Sequence, residues 1–242
     1  MNNHVTILEI DVNALEHNLH YFKKKLHEKT KILAVVKAFG YGSDAAKVAS
    51  FLKDKVDYFA VAYAHEGIAL REAGIKAPII SWLTPPSSDF KKAIELDIDL
   101  AIPSLKHLEL VLAAGKALGK KPRVHIEVDT GMTRGGLLGE WPEFLIAIKG
   151  ADLEVVGFWS HFARADEPNE IANQNQVSDF ESKLAELQGI GITPKYIHLA
   201  NSAAALTNEG AHKNIIRLGI AMYGLSPDAK TLGTSLELDL EP

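Results

Sequence analysis

The chain has no cysteine among its 242 residues. That removes disulfides, thiolate catalysis and cysteine-bound metals, and it allows a reducing compartment. Long apolar runs are missing as well: none approaches the roughly 20 residues that a membrane-spanning helix needs. The opening stretch MNNHVTILEIDV lacks the basic region and long apolar segment of a secretory leader, so a cytoplasmic protein with no membrane contact is expected. Positive charge is not in excess. Lys and Arg number 26 against 31 Asp and Glu, a net charge of −5, which argues against nucleic-acid partners. The basic stretches FKKKLHEK and GKALGKKPR read as solvated helix faces and loops. His65-Glu66 is not followed by the second histidine of a zinc-protease helix, and no metal site is expected. Internal repeats and low-complexity segments are absent.

Apolar residues make up 47% of the chain, enough for the core of one large α/β domain. Short apolar, β-branched runs fall at 31–37, 57–62, 78–83, 98–103, 123–129, 153–159, 196–200 and 214–219. Most are apolar on both alternating sides, as suits parallel strands covered on both faces. Helix-like segments such as SDAAKVASFLKD and SLKHLELVLAAGKALG lie between them, with Ser or Asp at the start and Gly near the end. Eight such strands predict a (β/α)8 barrel, whereas a doubly wound sheet usually needs about five or six. The barrel is expected over residues 11–232. Two further strands are expected outside it, VTILEI at 5–10 and the tail TLGTSLELDLEP. They read as an amino-terminal strand over 1–10 and the start of a carboxy-terminal β domain over 233–242. The alternative is two edge strands that pair with each other.

Chemistry in a barrel sits at the C-terminal ends of its strands. The first expected strand ends at Lys37, where partial burial would lower the amine pKa and suit Schiff-base chemistry; a lysine snorkelling to water is the alternative. The following GYGSDA matches a dinucleotide fingerprint only weakly, because the next strand ends in no acidic residue. Its glycines and the Ser43-Asp44 helix start could still hold an anion. The fifth strand ends in EVDTGMTRGG, which groups Glu127, Asp129, Thr130 and Arg134; a structural ion pair is the alternative to a functional one. His161 follows the sixth strand, and Asn201 and Ser202 the seventh. Arg217 lies inside the apolar eighth strand, where an unpaired charge is very costly. Ser202, Gly219 and Ile220 fit a phosphate site in the last two loops, with Arg217 reaching in from the eighth strand beside it. A phosphorylated aldehyde joined to a lysine satisfies these features together, and pyridoxal phosphate is the candidate.

The motifs VVKAFGYG, DTGMTRGG, SHFARAD, HLANSAA and RLGIAMYGLSP, in this order, resemble the alanine racemases. The resemblance runs from about residue 5 to the end and covers that family's amino-terminal barrel and the first residues of its β domain. It implies a PLP-dependent isomerase that interconverts L- and D-alanine for peptidoglycan precursors and works as a homodimer. It implies Lys37, Arg134, His161 and Arg217 as the catalytic set. Lys37 resembles the Schiff-base lysine and the base on one face, and Arg217 the partner of the pyridine nitrogen. Tyr41, Ser202, Gly219 and Ile220 resemble phosphate ligands. Arg134 resembles the residue beside the cofactor's phenolic oxygen and the substrate carboxylate, and His161, His198 and Asn201 supporting hydrogen-bond residues. Many members carry a carbamylated lysine where this chain has Glu127, so Glu127 is expected to supply that negative charge and orient Arg134. The family's second base is a tyrosine from the partner subunit's β domain. No tyrosine here, Tyr223 included, stands in that context, so this chain alone is expected to bind PLP but racemise alanine poorly. The alternative is a single-domain PLP carrier without racemase activity.

Overall fold

A computed structural model describes residues 7–242. Eight strands form: β1 (Lys31–Val35), β2 (Tyr58–Val61), β3 (Ile79–Ser81), β4 (Ile98–Ile102), β5 (Arg123–Glu127), β6 (Glu154–Trp159), β7 (Tyr196–His198) and β8 (Ile215–Leu218). All neighbours run parallel, in the order β7-β6-β5-β4-β3-β2-β1-β8. Between β7 and β8 the seam is drawn together by Arg217 N–H donating to the carbonyl of Ala200 at 3.0 Å. The result is the expected α/β barrel, with all eight expected barrel strands present and trimmed at their ends.

Side chains alternate across each strand, so one sequence feeds two cores. Ile32, Phe59, Ile79, Leu100, Ile126 and Phe158 point outward, into one apolar layer with helix residues such as Leu19, Phe22, Leu52, Phe144 and Phe180. Leu33, Tyr58, Ile80, Ala101, Trp159 and Tyr196 point inward and fill the barrel. Helix starts are set by side chains that accept otherwise orphaned backbone N–H groups: Asp11 for the helix Val12–Lys25, Asp89 for Phe90–Glu95 and Ser104 for Leu105–Leu118.

The chain ends depart from expectation. Residues 7–10 form no strand, and the rest of the expected strand lies outside the described residues. The tail is also not a strand: Ala229–Leu232 is one helical turn and 235–239 are turns. An extended segment needs an open sheet edge to satisfy its N–H and C=O groups, and the barrel consumes its edges in closing. The tail is instead fastened to the helix 12–25. Asn18 Nδ2 donates to the Glu241 carbonyl at 2.7 Å, Asn18 Oδ1 accepts from Glu241 N–H at 2.8 Å, and Leu240 is buried. No helix among the described residues is long and apolar enough to cross a membrane.

Candidate active site

The chain leaves β1 in an unusual conformation. Ala38, Phe39, Gly40 and Tyr41 have φ of 52°, 56°, 66° and 55°, a left-handed turn that closes at Gly42 with φ 91°. Each non-glycine residue in that region costs about 1–2 kcal/mol. Glu66 compensates. Its Oε1 accepts from Ala38 N–H at 2.7 Å, while Oε2 accepts from Ala62 N–H at 2.7 Å and Tyr63 N–H at 2.9 Å. The turn sends both Lys37 and Tyr41 into one cavity of about 260 Å³ at the C-terminal end of the barrel. Gly40, Gly42 and Ser43 are not on its wall. The following helix start is filled by Asp44, whose carboxylate accepts from Lys47 N–H, so the fingerprint-like segment is turn chemistry.

Lys37 is half-buried and its amine is held below the ordinary lysine range, by burial first and then by the positive charge of Arg134, with Glu66 opposing. Burial pushes the Tyr41 hydroxyl up to about 12, which keeps it protonated and able to donate. Across the cavity, Ser202 Oγ accepts from Gly219 N–H at 3.1 Å and Ala221 N–H at 3.4 Å. Asn201 Oδ1 accepts from Ala204 N–H at 3.0 Å and starts the short helix Ser202–Thr207. A methyl group on Gly219 would overlap the Tyr41 hydroxyl. The absent side chain of Gly219 leaves this cradle open to the Tyr41 hydroxyl.

Arg217 is 2% exposed. Its Nη1 donates to the His198 carbonyl at 2.9 Å and to His198 Nδ1 at 3.2 Å. Its Nη2 faces the carbonyls of Ser160 and Leu199 at 2.9 and 3.0 Å and His161 Nδ1 at 3.1 Å. Five acceptors thus occupy both terminal nitrogens, and Nε has no partner among the described residues. Burial pushes the guanidinium down to about 9, with Glu127 opposing and Arg134 adding to the fall, so it is charged at neutral pH. His161 lies well below the ordinary histidine range, through burial and then the charges of Arg217, Arg134 and Lys37.

Of the nine residues singled out for cofactor contact, eight line this cavity: Lys37, Tyr41, His161, Asn201, Ser202, Arg217, Gly219 and Ile220. Arg134 does not. It is exposed, on the loop after β5, and reaches the site only through its charge. The expected pairing of Glu127 with Arg134 is not formed, and no ion pair joins them among the described residues. Glu127 is 3% exposed, and burial pushes its carboxyl up to about 8 against the pull of Arg134 and Arg217, with Asp129 adding to the rise. A carboxyl that is mostly protonated at neutral pH cannot stand in for a fixed negative charge. Asp129 folds its own loop, accepting from Gly131 and Thr133 N–H groups.

Reading strand ends missed Trp82 and Asp166, which also line the cavity. Trp82 directly follows β3, so the same rule could have selected it. Glu66 was legible only as half of an incomplete zinc motif. It lies three residues into a helix and accepts from Tyr63 N–H before it, but a tyrosine there is not the Ser or Thr that marks a capping box in a sequence. The lone Nε of Arg217, the amine of Lys37 and the glycine cradle fit a ligand with a heteroaromatic nitrogen, an aldehyde and a phosphate.

A family profile described as alanine racemase, N-terminal domain, matches residues 10–227. The alanine racemase of Salinispora tropica is 37% identical over 228 residues, which cover 92% of this chain and 61% of that protein. The crystal structure of the alanine racemase from D-cycloserine-producing Streptomyces lavendulae superposes with a TM-score of 0.92 at 34% identity, over 95% of this chain and 61% of that one. The alanine racemase of Streptomyces coelicolor gives a TM-score of 0.91 at 33% identity, over 95% of this chain and 62% of that one. The chain therefore spans about three-fifths of the relatives it matches.

Proposed function

This chain belongs to the alanine racemase family, and on that premise we propose that it is the pyridoxal-phosphate-binding barrel of a racemase acting on alanine. One observation carries the reading: Arg217, fully buried, has its four terminal N–H groups committed and its Nε without a partner among the described residues, in a cavity also lined by Lys37 and Tyr41. Bound there, the cofactor would supply an electron-accepting ring that acidifies the α-hydrogen of an amino acid.

The residues divide the remaining work. Lys37 would hold the aldehyde carbon and carry the proton on one face of Cα. An amine below its ordinary pKa is more readily neutral and so a better base. Tyr41, with its proton retained, Ser202 and the backbone at Gly219 and Ile220 would hold the phosphate. Arg217 would offer Nε–H to the ring nitrogen. A charged guanidinium donates a hydrogen bond there without surrendering its proton, which moderates the ring and favours plain proton exchange over transamination. His161 and Asn201 support Arg217 and the helix beside the phosphate. Arg134 would take the substrate carboxylate from the rim.

We assign the proton carrier of the opposite face to a segment outside this barrel, contributed by a second subunit as the family resemblance implies. The 242-residue chain with PLP and L-alanine in D2O is then expected to incorporate deuterium at Cα faster than it inverts configuration, read by proton NMR and chiral chromatography. Neither exchange nor inversion would leave a cofactor carrier. Inversion keeping pace with exchange would place both bases in this chain.

A further inference from the structure

A polar line crosses the barrel interior below the cavity and is not used by any step above. At its upper end Arg217 Nη1 meets His198 Nδ1 at 3.2 Å. The other nitrogen of that ring, Nε2, lies 2.9 Å from His125 Nδ1. His125 Nε2 in turn faces Asp99 Oδ2 at 3.4 Å and the Tyr58 hydroxyl at 3.5 Å. Asp99 is also held by Arg123, Nε to Oδ1 at 2.8 Å and Nη2 to Oδ2 at 3.2 Å, and by the proton of Tyr58. Asp99, His125 and His198 are at most 2% exposed.

The ends of this line fix the direction of every bond in it. A guanidinium only donates, so His198 Nδ1 must be the acceptor and its proton sits on Nε2. That proton points at His125 Nδ1, which must then accept, so the His125 proton also sits on Nε2. It points at an ionised carboxylate, which only accepts, and at a hydroxyl whose own proton is committed to that carboxylate. Burial works to raise the Asp99 carboxyl, but the donors His125, Arg123 and Tyr58 outweigh it and hold it below the ordinary range. A neutral His198 agrees with its burial, the largest cause that drives it well below the ordinary histidine value.

The sequence makes room for the line. A methyl group on Gly157 would overlap the His125 ring, and the β5–β6 register shifts beside His125. Opposite, the Trp159 ring stacks on His198 at 5.7 Å with the planes 3° apart.

We propose that Asp99 is a positioning residue for the cofactor site: through His125 and His198 it fixes which Arg217 N–H groups are committed and leaves Nε as the one offered to the cavity. If His198 carried its proton on Nδ1, two donors would face each other and the guanidinium would have to turn away. The offer to a ring nitrogen rests on the reading under Proposed function; the direction of the line does not.

The test begins on the full 242-residue chain without cofactor, labelled with 15N-histidine. Long-range 1H–15N correlation is expected to show the protons of His125 and His198 on Nε2, with His198 keeping that single neutral form between pH 5.5 and 9. An Nδ1–H form of His198 or of His125, or titration of His198 in that range, overturns the proposal. Asp99→Asn keeps the shape but puts a donor where an acceptor is needed. It is expected to give mixed His198 tautomers and, with 15N-PLP bound, a moved ring-nitrogen resonance. Gly157→Ala, which displaces His125 while leaving Asp99 charged, is expected to do the same. A single His198 tautomer and an unmoved ring nitrogen in a folded variant overturn the proposal. Should neither variant fold, the unsubstituted chain still decides it. The expected tautomers in a chain that binds no PLP would sink the cofactor reading and leave the line intact.

Discussion

Glu66 accepts the backbone N–H of Ala38 at 2.7 Å, the first peptide after Lys37. One carboxylate thereby ties the left-handed turn that presents Lys37 to the loop that follows β2. Glu66→Gln keeps the shape, but one oxygen becomes a donor and one of the three N–H groups loses its acceptor. A cost of about 2 kcal/mol in urea unfolding is expected, since hydrogen bonds to a charged group contribute about 1.5–3 kcal/mol. Glu66 also opposes the fall in the Lys37 pKa. Its neutralisation is therefore expected to move the pH midpoint of Lys37 modification by a pyridoxal probe downward.

Gly219 and Tyr41 share one space. Gly219→Ala is expected to weaken PLP binding at least tenfold by forcing the Tyr41 hydroxyl out of the cradle. Tyr41→Phe in the same chain removes the overlapping atom and is expected to recover part of that loss. Titration of both variants by fluorescence quenching checks this, and equal loss in single and double variants contradicts it.

Arg217→Lys exchanges a planar fork for a point charge. Five acceptors surround the terminal nitrogens, and an ammonium has three donors that cannot span them. Because it leaves buried acceptors and a buried charge imperfectly paired, a loss of about 3–5 kcal/mol in unfolding free energy is expected. A stability within error of the parent would show that the site tolerates any cation.

Glu127 gives the stability a recognisable pH slope. Its folded pKa is raised to about 8 from 4.5, so its contribution is fully present below pH 4.5 and is lost as pH rises toward 8. Between these values the unfolded chain has released the proton that the folded chain keeps, and the slope is at most about 1.4 kcal/mol per pH unit. His161 and His198 act oppositely. Their folded pKa values are depressed, so stability falls as pH drops below 6.5, where the unfolded rings take up protons. The difference between the parent and Glu127→Gln isolates the carboxyl. The advantage of the parent is expected to shrink as pH rises from 5 to 8, and a flat difference contradicts it.

The barrel was legible because burial on both faces writes strands as unbroken apolar runs, and eight of these in one domain leave few other folds. The cavity was legible because reactive residues gather at strand ends, which found Lys37, His161, Ser202 and Arg217. Contacts across the barrel left no such trace. Asp99, His125 and His198 lie in three strands separated by tens of residues, and nothing local marks them as neighbours. Glu127 misled for a related reason: its charge depends on burial and on the distance to Arg134, neither of which a spacing of seven residues discloses. The expected tail strand failed because alternation alone shows a tendency, and a strand also needs an edge to join.

On this reading Lys37 is the covalent anchor of a pyridine cofactor in this barrel. The most direct measurement adds PLP to the 242-residue chain, follows visible absorption, reduces with borohydride and maps the label by peptide mass spectrometry. A saturable band is expected, with a pyridoxyl group on Lys37 that is lost in Arg217→Met. No saturable band, or a label spread over surface lysines with Lys37 unmodified, would contradict it.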